Sequence, residues 1–203
     1  MRCSLLYGVL SHQGAYSLHE KMLRKLHRDA IRVFSEDDLK SIDALIMPGG
    51  ESTTLIKFLD KLNLWDLIKN RINSGMPILG TCAGLILLAK DVQSFNQKSL
   101  GVLDIEVQRM GFGRQVESFE ADLNIPILGR KPMNGIFIRA PRITRVGVTV
   151  EILAEMDNEP VAVRSGHIWG TTFHPELTND KRFHEMFIRM CESQVDVSGV
   201  KQI

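Results

Sequence analysis

Cysteine is scarce in this chain: three residues in 203, at positions 3, 82 and 191. An odd, widely spaced set is a poor disulfide framework. No Cys-x-x-Cys and no His-x-x-x-His pair occurs, so the usual spacings of a structural zinc site are absent and no metal or other cofactor is expected. Long apolar runs are also missing; none approaches the ~20 residues that a spanning helix needs. The stretch Met1 to Leu10 has one arginine and a short apolar run, without a long apolar core followed by a small-residue cleavage site. No signal peptide and no membrane partner are expected, and the reading places the chain in a reducing cytoplasm. An excess of one charge is lacking as well. Lys and Arg number 25 against 24 Asp and Glu, with no block of like charge, so nothing points to a nucleic-acid partner.

What is present reads as an ordinary globular protein: 44% hydrophobic and 24% charged residues. The length suits one domain over 1–203, with a polar tail from about 193 expected to fray. No repeat or linker interrupts it. The first half alternates short apolar strands with helical spacing. Leu5 to Leu10, Ala30 to Phe34, Asp43 to Met47 and Pro77 to Leu79 read as strands. Between them, Ala15, Leu18, Met22 and Leu26 recur at helical intervals, as do Leu55, Phe58, Leu59 and Leu62. A further helix is expected from about Leu64 to Ile72, and another from Leu85 to Ala89. This alternation predicts βαβ units, a parallel sheet and helices on both faces. The second half has strand-like segments at 102–107, 119–123, 135–139, 150–156, 161–164 and 168–173, with turns between them, so part of it is expected to pair antiparallel. A closing helix from about Lys181 to Cys191 carries Phe183, Met186, Phe187 and Met190 inward. The expected fold class is α/β, a three-layer α/β/α sandwich with a mostly parallel central sheet.

Three segments carry chemistry. Gly80-Thr-Cys-Ala-Gly84 joins a strand to a helix, in the manner of a nucleophile elbow, the sharp turn that exposes a reactive side chain. Cys82 would stand at the helix start, where the dipole favours a thiolate. The Ala83 N–H would face a developing oxyanion. A lone cysteine is more often a small core residue, and Cys82 alone is open to that reading. Thr172-Phe-His-Pro-Glu176 follows a later strand. It offers His174 as the base that a thiol needs, and Glu176 as the group that orients the base; a solvated His-Pro-Glu turn is the alternative. His19, His27 and His184 fall on expected helices and read as surface or packing residues. Pro48-Gly-Gly-Glu-Ser-Thr-Thr54 follows a strand. Gly49 and Gly50 let the main chain approach a ligand and present N–H groups to an oxyanion. Glu51 suits an ammonium and Ser52 a hydrogen bond, although a capped helix start also explains Ser52.

Together these segments resemble a class I glutamine amidotransferase, which implies a flavodoxin-like sandwich. The chain is most similar to the family of glutaminase subunits of pyridoxal 5′-phosphate synthase. That resemblance rests on residues 48–54 and 80–89, on Phe-Gly-Arg-Gln-Val-Glu-Ser-Phe-Glu at 112–120, on Phe-Ile-Arg-Ala-Pro at 137–141, and on Phe-His-Pro-Glu-Leu-Thr at 173–178. Many amidotransferases of other pathways place a Gln where this chain has Ile86; an apolar residue there fits the pyridoxal phosphate branch. One departure is Ser11-His12, where the family commonly has Gly-Leu; Gln13 is retained.

The resemblance implies hydrolysis of L-glutamine to glutamate and ammonia. Cys82 would be the nucleophile, His174 the base and Glu176 its orienter. Gly50, Glu51, Ser52, Arg109, Ile138 and Arg139 would hold L-glutamine, with Gly49, Ala83 and Gln13 serving the oxyanion region. An arginine suits an α-carboxylate because its fork binds both oxygens. The implied partner is the synthase subunit, in a large double-ring hetero-oligomer that receives the ammonia and switches on the glutaminase.

Overall fold

The computed structural model describes residues 4–11, 14–93, 97–109 and 118–199, with side chains described up to residue 194. In chain order the first half runs β1 (Leu6–Leu10), α1 (Tyr16–Lys25), β2 (Asp29–Val33), α2 (Glu36–Ser41), β3 (Ala44–Met47), α3 (Ser52–Lys61), α4 (Trp65–Asn73), β4 (Ile78–Thr81) and α5 (Ala83–Leu88). The second half runs β5 (Ala89–Gln93), β6 (Leu103–Gln108), β7 (Ser118–Leu123), β8 (Met133–Ile138), β9 (Arg142–Val146), β10 (Glu151–Met156), β11 (Glu159–Ser165), β12 (Ile168–Thr171) and α6 (Arg182–Gly199).

Seven strands form the main sheet in the order β10-β11-β12-β4-β3-β1-β2. The pairs β1–β2, β1–β3, β3–β4 and β4–β12 are parallel, while β11 pairs antiparallel with both β10 and β12. The sheet is therefore mostly parallel, with its antiparallel strands at one edge. Strand alternation sorts the core into two layers. Tyr7, Val9, Ala44, Ile46 and Leu79 pack on one face with Leu23 of α1 and with Phe183 and Phe187 of α6. Leu10, Leu45, Met47 and Ile78 pack on the other with Leu39 of α2, Leu59 of α3, Ile68 of α4 and Leu85 to Leu88 of α5. Helices cover both faces, as expected of a parallel sheet.

The additional strands extend these two layers. A three-stranded sheet in the order β5-β6-β9 contributes Leu103, Ile105, Val107 and Ile143 to the α5 side. The β7–β8 ribbon gives Leu123, Met133 and Phe137 to the α6 side.

The differences from the sequence reading are local. Helix α2 was not expected, yet Ser35 caps it: its Oγ accepts the Asp38 N–H at 3.1 Å, and Asp38 Oδ2 accepts the Phe34 N–H at 3.0 Å. This reciprocal arrangement is a capping box with Asp in place of Glu. Helix α5 ends one residue early, because Ala89 already begins β5. Strands β5 and β9 were also missed; β9 is largely exposed and polar, so its pattern is weak. His27 lies just past α1 with φ 56 rather than within the helix. Helix α6 continues to Gly199, past the Cys191 at which the apolar pattern stops.

Candidate functional site

The parallel sheet assembles the site. Strand β4 lies between β3 and β12, with Met47 level with Gly80 and Thr171 level with Thr81. The three segments that leave these strands therefore emerge side by side beyond their carboxyl ends, where ligands bind in open α/β sheets. The Cys82 N–H donates to the Thr171 carbonyl at 2.8 Å, which extends the β4–β12 ladder to the cysteine itself.

Cys82 has φ 49 and ψ −102, a conformation that side-chain-bearing residues rarely adopt. The turn is held by close backbone packing. A Cβ on Gly84 would lie 2.0 Å from the Met47 carbonyl oxygen, so only glycine fits where α5 crosses β3. The strained turn places the thiol beside the His174 ring, near enough to act on the ring's titration. Its Sγ is 3.9 Å from the Ile138 carbonyl oxygen.

His174 begins a 3-10 turn, Pro175–Leu177, in which Pro175 occupies the first position. That turn swings Glu176 back beneath the ring. His174 Nδ1 and Glu176 Oε1 are 2.7 Å apart, leaving Nε2 for the thiol. All three side chains are buried: Cys82 6%, His174 6% and Glu176 3% exposed. Burial by itself would push the His174 ring down; hydrogen bonds to Cys82 and Glu176, with their charges, outweigh it and raise the ring to about 10. Burial would likewise raise Glu176, but the neighbouring His19 and the hydrogen bond with His174 hold it well below the usual carboxylate range. At neutral pH the pair is thus an imidazolium on a carboxylate.

A cleft of about 230 Å³ opens in front of Cys82. Gly49, Gly50, Glu51, Ser52, Ala83, Arg109, Ile138, Arg139 and His174 all line it with Cys82. Every sequence-predicted site residue within the described residues is therefore in this cleft, except Glu176, which lies behind His174. Gln13 lies outside the described residues. Ile86 forms part of the cleft wall.

At the far end, Arg109 binds Glu51, Nη2 to Oε1 at 2.7 Å, and also donates to Gln97 Oε1 at 3.1 Å. The Ser52 hydroxyl donates to the same Gln97 oxygen at 3.4 Å. One cation and one anion thus stand together where a zwitterionic ligand could match both.

Two findings revise the sequence reading. The Gly49 N–H donates to Thr81 Oγ1 at 3.0 Å and so is engaged within the protein. Of the two glycine N–H groups expected to serve an oxyanion, that of Gly50 has no such bond among the described residues. The second revision concerns His19. It is fully buried and its Nε2 is 3.4 Å from Glu176 Oε2, so it is neither a surface nor a simple packing residue. No local pattern could reveal it, because α1 precedes the Glu176 turn by most of the chain. Thr81 and Gln97 were also missed, although Thr81 sits within the elbow motif.

Comparisons with known proteins agree with this geometry. Residues 9–193 match the SNO glutamine amidotransferase family. The chain is 49% identical over 183 residues to the pyridoxal 5′-phosphate synthase subunit PdxT of Thermotoga sp. (strain RQ2), covering 90% of this chain and 97% of the relative. It is 46% identical over 186 residues to the protein of the same name from Carboxydothermus hydrogenoformans, covering 91% and 97%. A crystal structure described as a glutamine amidotransferase superposes with a TM-score of 0.87 at 42% identity, covering 92% of this chain and 98% of that one. A glutamine amidotransferase from Thermotoga maritima shares the fold at a TM-score of 0.61 and 15% identity, with 94% and 85% covered. By sequence over most of its length, this chain belongs to the SNO glutamine amidotransferase family.

Proposed function

We propose that the chain is the glutaminase subunit of a pyridoxal 5′-phosphate synthase, hydrolysing L-glutamine to L-glutamate and ammonia through Cys82, His174 and Glu176. The observation that carries this is the Cys82–His174–Glu176 line at one end of a cleft whose other end holds the Glu51–Arg109 pair.

Glutamine would enter with its α-carboxylate toward Arg109, or toward Arg139 on the facing wall, and its α-ammonium toward Glu51. Its side-chain amide then reaches Cys82. Thiolate attack on the amide carbon, with the thiol proton held by His174, forms a tetrahedral oxyanion. Ala83, the first residue of α5, has an N–H without an intrahelical partner, and Gly50 N–H is the second donor. One such donor is worth ~2.7–4 kcal/mol in the transition state. His174, protonated at neutral pH, gives its proton to the departing nitrogen as the carbon–nitrogen bond breaks. Ammonia leaves and a thioester remains. Neutral His174 then takes a proton from water as the water attacks the thioester, releasing glutamate and restoring the thiol.

Supporting a partner-dependent activity, the Gly49 N–H is bonded to Thr81, so the oxyanion side holds fewer donors than the turn contains. Docking of the synthase partner on this turn would reorganise it, and ammonia would be released only when an acceptor is ready. Glutamine hydrolysis measured with and without the synthase subunit tests the reading. A low rate for the isolated chain and a large rise in the complex are expected. Glutamate release that is equally fast without the partner would remove the activation step, and no release in either case would remove the function.

A further inference from the structure

Behind the triad carboxylate lies a second polar layer, wholly inside the protein. His19 of α1 and His184 of α6 are both fully buried. Their rings meet with His19 Nδ1 2.9 Å from His184 Nε2. On its other side His19 Nε2 faces Glu176 Oε2 at 3.4 Å and Thr81 Oγ1 at 3.4 Å. Thr81 in turn accepts the Gly49 N–H. Five residues from five separate segments thus form one network joining the base's orienter to the oxyanion turn.

The protons can be placed. Glu176 is ionised and a carboxylate only accepts, so the hydrogen between Oε2 and His19 belongs to His19 Nε2. Among the described residues, Oε2 makes no hydrogen bond that satisfies strict geometry, and His19 Nε2 is its ion-pair contact at 3.4 Å. His184 is held neutral, pushed down to about 3 chiefly by its burial. Its one proton either lies on Nε2 and is donated to a neutral His19, or lies on Nδ1 and leaves Nε2 to accept from a charged one. In both patterns His19 Nε2–H points at Glu176. The titratable groups facing His19 are Glu176 from the turn after β12 and His184 from α6. His174 and Cys82 follow beyond Glu176. Two buried imidazoles are a costly way to fill space that leucine would fill well. His184 Nδ1 even lacks a partner among the described residues, which fits a brace whose working contact is on its other nitrogen.

We propose that His19 is a positioning residue of the glutaminase reaction: braced by His184, it holds the second oxygen of Glu176 and, through Thr81, ties the triad to the Gly49 turn. The proposal rests on the triad assignment above. Without His19, Glu176 Oε2 loses its ion-pair contact inside the protein. Glu176 then takes up a proton more readily, and His174 loses the charge that keeps its own.

The test compares His19→Gln with His19→Asn, in the complex with the synthase subunit for kinetics and in the chain itself for ring titration. The Gln amide nitrogen replaces Nε2 and reaches Glu176; the Asn amide replaces Nδ1 and reaches only His184. The Asn variant should lose about 10- to 100-fold in kcat with KM within about twofold. Its His174 ring, followed by NMR, should titrate at least about one pH unit lower. The Gln variant should recover most of both. Equal behaviour of the two variants, or an unshifted His174 titration in the Asn variant, would overturn the proposal. If either chain fails to fold, His184→Gln against His184→Leu repeats the comparison one step back: only the Gln side chain can still bond His19 Nδ1, and equal rates in that pair overturn it too. A Cys82→Ala control in the same assay isolates the underlying reading. Hydrolysis that survives Cys82→Ala refutes the triad itself, whatever His19 does.

Discussion

On one wall of the cleft, His174 and Glu176 ride a proline-started turn, with His19, His184 and two helices packed behind them. The wall that meets it, with Gly49 packed against the His174 ring, is the Gly49 to Ser52 turn, whose first N–H is bonded inward to Thr81 and whose Glu51 leans on Arg109. The first wall is buried, charged and over-determined. The second is partly exposed, and its polar groups are engaged with each other. A group held by several buried contacts cannot easily move. A turn whose contacts run to Thr81, to Gln97 and to an ion pair that is 42% exposed on the Glu51 side can be redirected by a ligand or partner. The difference separates chemistry that is set in advance from recognition that is completed on binding.

Four expected outcomes would break or sharpen this comparison. The largest is Cys82→Ala: ammonia release from glutamine should fall on the order of 10⁴-fold or more, with the far-UV spectrum and partner binding retained. Next, Glu176→Gln attacks the fixed wall. It should lower kcat on the order of 10³–10⁴-fold in steady-state assays, because the ring loses the anion that orients and charges it. An effect mainly on KM would mean that this wall is not the chemical one.

Arg109→Lys and Glu51→Gln attack the second wall. Each should raise KM for glutamine about 10-fold or more while kcat changes less, since an ammonium cannot replace a planar fork and an amide cannot balance a cation. A kcat-only loss would erase the distinction between the walls.

The smallest effect is on stability. The His174 ring is raised above its ordinary 6.5 to about 10. Its contribution is therefore complete below about pH 6.5 and lost as pH rises through about 10. Glu176 behaves oppositely: its contribution is present above its ordinary 4.5 and fades only in strong acid, as pH falls through its lowered value. Urea denaturation should show stability falling between pH 6.5 and pH 10, with a smaller fall in Cys82→Ala, where one of the groups raising the ring is gone. An identical slope in the two proteins would show that Cys82 does not hold the His174 proton.

Much of this site was legible before folding because its parts are local. Gly80 to Gly84, His174 to Glu176 and Pro48 to Thr54 each act as a short turn after a strand, and a turn's shape is written in neighbouring residues. The same holds for the inner strands β1, β3, β4 and β12 of the main sheet, whose runs are buried throughout or nearly so because both faces are covered. The mostly exposed β9 and the six-residue α2 left weaker traces. Gln97 gave no sign at all, since it acts through contacts with Ser52 and Arg109 from other segments.

The sequence by itself determined the sharp turn at Cys82, the His174–Glu176 turn, the parallel sheet that would present them, and the family. Tertiary structure alone decided that β3 and β12 flank β4, which brings the three turns to one edge. It decided that His19 and His184, 165 positions apart, meet at 2.9 Å behind Glu176. It also decided that the Gly49 N–H turns inward to Thr81. The physical reason is the same in each case. A turn is governed by the dihedral preferences of adjacent residues, whereas a buried polar contact between distant segments exists only once packing has removed water from both and left each the other's partner.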